Sequence, residues 1–286
     1  MVQDGTFVNT EQLDVSNKNG STAFVPTMFG TCRNDGASIG ANYPTKPVTT
    51  EVAGIEASLG ISEAEAQDII NSGLFPYYST GNITLDSFNV SQRVSTDRGF
   101  HCIDQGEFNF RKYLKETCLL RPRIATMYAG AITGAFPATY YFIQERTLGG
   151  YDPNNLGGPP VAPGYPNGDP NLPYFRFHSG ATNPFIFGNL APIRDPDDLY
   201  AAQLNSGYFA QFVKNGQPNP SERYLQKRGY TTTLAAVDQT GRWADIRGNG
   251  GPIRLLDYPS VESGFVDVPQ CAFLNYSLSY YLDGGL

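Results

Sequence analysis

Histidine is scarce in this chain of 286 residues: His101 and His178 are the only two. The four cysteines include no C-x-x-C pair and no Cys/His cluster, so nothing suggests a zinc site. Basic charge is also limited. Twenty Lys and Arg are scattered along the chain, never more than two together, against 27 Asp and Glu, for a net charge of −7, and no basic stripe is available for a phosphate backbone. Nucleic acid is not an expected partner. The longest apolar stretch, Ile124 to Ile143, is interrupted by two Gly, a Pro, three Thr and three Tyr, and does not read as a transmembrane span. The opening residues, "MVQDGTFVNTEQLDVSNKNG", lack a basic n-region and an apolar h-region, leaving two expectations: a cytosolic protein, or a chain whose true beginning lies upstream.

What is abundant points to a folded, loop-rich protein. Aromatics make up 13% of the chain, with 31 Gly and 21 Pro, while charged residues reach only 16%. Such a profile suits a packed, often extracellular domain better than a disordered or coiled-coil one. Four N-x-[ST] triplets begin at Asn19, Asn82, Asn89 and Asn275; with four cysteines free to pair, they favour the secretory route. No repeat or composition shift marks a boundary, so residues 1–286 read as one structural unit.

Strand and helix signals alternate, which predicts an α/β class. Phe24 to Gly30 reads as a short buried strand entering a loop. Ser62-x-x-Glu65 is a capping box opening a helix that ends before Gly73. Arg121 to Thr133 reads as a helix, Ala138 to Ile143 as a strand, and Asp197 to Gly216 as a helix. "PIRLLDYPS" reads as a last strand, and Pro269 to Leu282 as a terminal helix. The Gly/Pro-dense segment Gly149 to Pro170 is expected to be a long loop lining a site.

Gly36-Ala37-Ser38-Ile39-Gly40 fits the G-x-S-x-G pattern of a serine-hydrolase nucleophile. A working elbow needs a strand-to-helix turn, with the acid and then the histidine following the serine in the chain. His178 follows a strand-like aromatic run and precedes a turn, where a general base would stand; position alone equally allows a hydrogen-bonded core or surface histidine. Asp35 lies on the loop after a strand, where a triad acid would stand, but Asn-Asp-Gly is also a turn sequence in its own right.

A resemblance chooses between these alternatives. "DGTFV...FVPTMFGTCRNDGASIG" resembles the "DG.fi... vPvliGtn.dEG" segment of type-B carboxylesterases and lipases, the cholinesterase-like family. Five further blocks follow in the family's order: "RVSTDRGFHC", "ATYYFIQER", "FHSGATNPFIFGNL", "FAQFVKNGQPNP" and "QCAFLNYSLSYYL". The resemblance implies the C-terminal part of an α/β-hydrolase fold, with the nucleophile, the oxyanion loop and the first disulfide belonging to an N-terminal half absent from these residues. It puts Asp35 in the place of the triad acid, where many relatives carry Glu, and His178 in that of the base. Ser179 stands where Gly is usual after the base. Ser38, three residues beyond the acid, is then a decoy, allowed at most a hydrogen bond within the site.

The same resemblance implies a Cys102–Cys271 disulfide and leaves Cys32 and Cys118 unassigned. The implied activity is serine carboxylic-ester hydrolysis through an acyl-enzyme, with an ester or lipid substrate, no cofactor or metal, and the missing half as partner. This chain alone is expected to be inactive and poorly stable. Tyr174 and Phe175 are candidate walls of the substrate pocket. The rival reading is a non-catalytic, cholinesterase-like adhesion module, against which the retention of both Asp35 and His178 argues.

Overall fold

The computed structural model describes residues 15, 18, 22–105, 126–146, 178–190, 193, 196–246 and 251–275. The Gly149–Pro170 segment, Tyr174, Phe175, Cys118 and the far end of the expected terminal helix lie outside the described residues. The sheet has the order β1-β2-β3-β4: β1 (Thr27–Cys32), β2 (Thr139–Gln144) and β3 (Ile253–Leu256) are parallel, and β4 (Val261–Ser263) returns antiparallel against β3. Helices cover it, as the α/β expectation requires.

Strand β2 is the hub. All six of its residues are buried, because both faces are covered, which explains its aromatic and apolar centre, Tyr140 to Ile143, between Thr139 and Gln144. Side chains alternate across a strand, so Tyr141 and Ile143 join Met127 and Tyr128 of the helix that precedes the strand, and Phe136 of the connecting turn, on one face. Helix α5 spans Thr126–Thr133. On the other face, Tyr140 and Phe142 pack with Leu204 and Tyr208 of α7 (Pro196–Asn215) and with Trp243. Gly30 of β1 has no room for a side chain: a Cβ there would lie 2.3 Å from the Phe142 ring. Between α7 and β3 run α8 (Glu222–Arg228) and α9 (Thr231–Thr240). Among the described residues no helix is long and apolar enough to cross a membrane.

A second, helical layer lies beside the strands. Helices α1 (Glu51–Leu59), α2 (Glu63–Ser72) and α3 (Ile83–Thr96) bury Ile55, Ala66, Ile69, Val90 and Val94 together. The Ser62/Glu65 capping box forms as its local sequence dictates, and Gly73 closes α2 in the left-handed conformation. Helix α3 runs directly into a π-helical turn at Asp97–His101 and then into the short α4, Cys102–Gln105. The terminal helix is α10, Val268–Leu274, fastened to this layer by a Cys102–Cys271 disulfide.

One local expectation is corrected. His178 opens a helix, α6 (His178–Phe187), rather than a turn. Gly180, Asn183 and Pro184 are turn signals, and Pro184 removes one helical hydrogen bond. Packing prevails over them. Phe185 is buried against Ala201 and Ala202 of α7, and the Ser206 hydroxyl donates to the carbonyls of Phe185 (3.2 Å) and Ile186 (2.7 Å), satisfying the helix end.

Candidate active site

The end of β1 carries the candidate acid. Asp35 begins a single 3-10 turn, Asp35–Ala37, whose three residues are all buried. The Cys32 backbone N–H donates to Asp35 Oδ2 at 2.7 Å, which holds the carboxylate in one orientation. The turn is seated on α3: Asn34 Nδ2 donates to Gln92 Oε1 (3.1 Å), and the Gly36 N–H donates to Thr96 Oγ1 (3.0 Å). Approach is so close that a Cβ at Gly36 would lie 2.4 Å from the Gln92 carbonyl oxygen and from the Thr96 nitrogen. Glycine is required there by backbone contact, not by a positive φ.

Helix α6, which His178 opens, packs against β1. One side-chain contact between them is Cys32 Sγ to Thr182 Oγ1, 3.1 Å, across 150 residues of sequence. Cys32 stands three residues before Asp35 and Thr182 four after His178, so the end of β1, from which the Asp35 turn follows, meets the helix that begins at His178. Cys32 itself is a buried free thiol. Burial, reinforced by the Asp35 charge, pushes its pKa well above the ordinary value, so it stays a neutral thiol and not a thiolate nucleophile.

Ser38 does not sit at an elbow. It follows the 3-10 turn, and its hydroxyl donates to the Asp35 carbonyl oxygen at 3.2 Å. A nucleophile elbow places its serine on a strand-to-helix turn; this one closes a single turn of helix beside the acid.

Sequence reasoning passed over the other histidine. His101 ends the π-helical turn, is 1% exposed, and directs Nδ1 at two carboxylates: Asp267 Oδ2 (3.0 Å) and Asp97 Oδ1 (3.2 Å). Burial works against the imidazolium, but the hydrogen bonds to Asp267 and Asp97 outweigh it and raise its pKa to about 9. The raised pKa favours the protonated form, which pairs with both carboxylates. Burial lifts Asp97 to about 6 against the opposing pull of His101. For Asp267 burial also acts upward, yet the hydrogen bond and charge of His101, with the charge of Arg33, bring it below the ordinary carboxylate value.

Asp97, His101 and Asp267 could also hold a metal ion, since their donor atoms all lie within 4.8 Å of one another. The Asp267 oxygen nearest His101 already accepts from Arg33 Nη1 at 3.1 Å, so the two carboxylates are balanced by two cations of the protein itself. A signal was available in sequence: "DRGFH" places Asp97 and His101 four apart, one helical turn, though nothing local points to Asp267.

No protein-family profile matches the chain. No curated protein matches it either. Among solved structures, one that matches is titled PNB esterase: 16% identical, TM-score 0.44, aligned over 87% of this chain and 38% of that one. The chain thus spans well under half the length of that esterase.

Proposed function

We propose that this chain is the C-terminal part of a serine carboxylic-ester hydrolase of α/β-hydrolase fold, supplying the triad acid, Asp35, and the triad base, His178. The observation that carries the reading is the Cys32–Thr182 contact, which joins the end of β1, from which the Asp35 turn follows, to the helix that begins at His178. In this reading His178 takes the proton of a serine as that serine attacks the ester carbonyl, then returns it to the leaving alcohol. Asp35, held by the Cys32 N–H, keeps the imidazole in the required tautomer and stabilises the imidazolium.

The serine and the oxyanion hole come from an N-terminal half outside these residues. Two features support that half. G-x-S-x-G occurs once in the chain, at Ser38, beside the acid and not at an elbow. Among the described residues β1 is an edge strand, with no strand on its outer side, and an unpaired edge is a feature that folded proteins ordinarily pair or cover. The disulfide and the four sequons support secretion. The substrate class is a carboxylic ester or lipid.

Turnover of a p-nitrophenyl ester by the complete protein tests this reading. His178→Ala and Asp35→Asn are each expected to lower kcat by about 10²–10⁴-fold with the fold intact. Ligand binding without turnover in any form would instead identify an adhesion module.

A further inference from the structure

The buried charge cluster around His101 lies outside the proposed triad, yet it reaches the acid within two residues of chain. Arg33 connects the two. It links the last residue of β1 to the turn that begins at Asp35, and is fixed at three points. Its backbone N–H donates to the Gln144 carbonyl (3.1 Å), Nε pairs with Glu145 (3.0 Å) and Nη1 pairs with Asp267 (3.1 Å).

Asp267 is held in turn. It accepts from His101, whose Nδ1 also meets Asp97. His101 precedes Cys102 and Asp267 precedes α10, so the Cys102–Cys271 disulfide ties together the two segments that the ion pair joins. Asp267 adopts φ 55°, in the left-handed region that a non-glycine residue occupies at a cost. The π-helical turn carrying Asp97 and His101 continues α3, the helix on which Asn34 and Gly36 are seated. The acid turn is therefore gripped by α3 below and by Arg33 at its entrance.

We infer that Arg33, clamped between Glu145 and Asp267 and backed by His101 and Asp97, is a positioning residue that sets the Asp35 turn. This inference rests on the ester-hydrolase reading above only for its catalytic consequence. The charged groups facing the clamp are Glu145 at the end of β2, Asp267 ahead of α10, Asp97 and His101 on the π turn, and Arg93 on α3. Arg33, Arg93, Asp97 and Asp267 line a cavity of about 190 Å³ together with Leu74 and Phe75, so part of the clamp faces open space. A guanidinium suits the post because its planar fork addresses two carboxylates at once, which an ammonium cannot do with the same geometry. Misplacement of a catalytic group by about 1 Å costs on the order of a hundredfold in rate, so a clamp two residues from the acid acts on kcat.

The test uses the complete protein with Arg33→Gln, Arg33→Lys and Asp267→Asn, reading ester turnover and amide hydrogen exchange at residues 33–38. Arg33→Gln is expected to lower kcat by about tenfold or more with little change in KM. Exchange at Gly36 and Ala37 should quicken while that of β2 stays unchanged. Arg33→Lys should recover part of both effects, and Asp267→Asn should follow Arg33→Gln. Unchanged kcat and unchanged exchange at 33–38 in Arg33→Gln overturn the inference, as does quickened exchange throughout the molecule. Should the unsubstituted protein hydrolyse no ester, the ester-hydrolase reading fails, and the exchange results alone decide whether Arg33 positions the turn.

Discussion

Asp267 Oδ2 lies 3.0 Å from His101 Nδ1 across 166 residues of sequence, closing the terminal helix onto the end of α3 beside a disulfide that spans nearly the same interval. The pair is buried on the histidine side and 24% exposed on the aspartate side. Its consequences can be measured.

Stability should depend on pH through His101. Its folded pKa, about 9, lies above the unfolded value of roughly 6.5. A raised histidine binds more protons folded than unfolded, so its contribution is fully present below about 6.5 and lost as pH rises through 9. Asp97, raised to about 6, adds a cost that appears on going from acid to pH 6 and is complete before that window opens. Urea midpoints should thus fall between pH 6.5 and 9 in the unsubstituted protein, while in His101→Gln the profile should change shape, because the histidine's contribution is gone and Asp97 loses the partner that holds its pKa down. Parallel curves for the two proteins would contradict the assignment.

The Cys102–Cys271 bond closes a separation of 169 residues. Replacing both cysteines by Ala should lower unfolding stability by about 2–5 kcal/mol. The loss should appear first as quickened hydrogen exchange in α10. Stability within experimental error of the unsubstituted protein would show that the ion pair alone fastens the helix.

Gly36→Ala should be costly out of proportion to one methyl group. Its Cβ would lie 2.4 Å from main-chain atoms of α3, which cannot yield as a side-chain tip would. Overpacking of this kind costs about 1–3 kcal/mol, and the displaced turn carries Asp35. Thermal unfolding and ester turnover should fall together; a neutral substitution would show that the turn stands off α3.

Ser38→Ala removes a hydroxyl that donates to the Asp35 carbonyl. Turnover should stay within about twofold, the effect of a minor polar contact. Abolished turnover would restore Ser38 as a nucleophile.

Features dictated by neighbouring residues were legible in sequence. The Ser62/Glu65 box and Gly73 bound α2 because their hydrogen bonds are local, and β2 was read from an apolar run that two covered faces demand. The disulfide followed from family resemblance, not from spacing. Helix α3 was missed because its buried face is largely polar: Thr84, Asp86, Ser87, Ser91, Gln92, Ser95 and Thr96 are all buried, so the usual apolar stripe is faint. Their polar groups are satisfied inside the fold: the Thr80 hydroxyl donates to Asp86, and the Ser91 hydroxyl donates to the Ser87 carbonyl. Helix α6 was hidden by the turn signals that Phe185 packing overrides. The His101 cluster is legible only in part: the Asp97/His101 spacing is local, but its second carboxylate lies at the far end of the chain. Asp35 and His178 as a pair rest on family resemblance, since neither residue's local sequence distinguishes a catalytic role from a structural one.

The central claim concerns where the nucleophile lies. Fluorophosphonate labelling of the protein from its natural source, with the labelled peptide sequenced by mass spectrometry, tests it most directly. The account predicts label on a serine outside these 286 residues, in sequence preceding this chain or in a polypeptide that accompanies it, and loss of that label in His178→Ala. Label on Ser38, or no label on any serine, would contradict it.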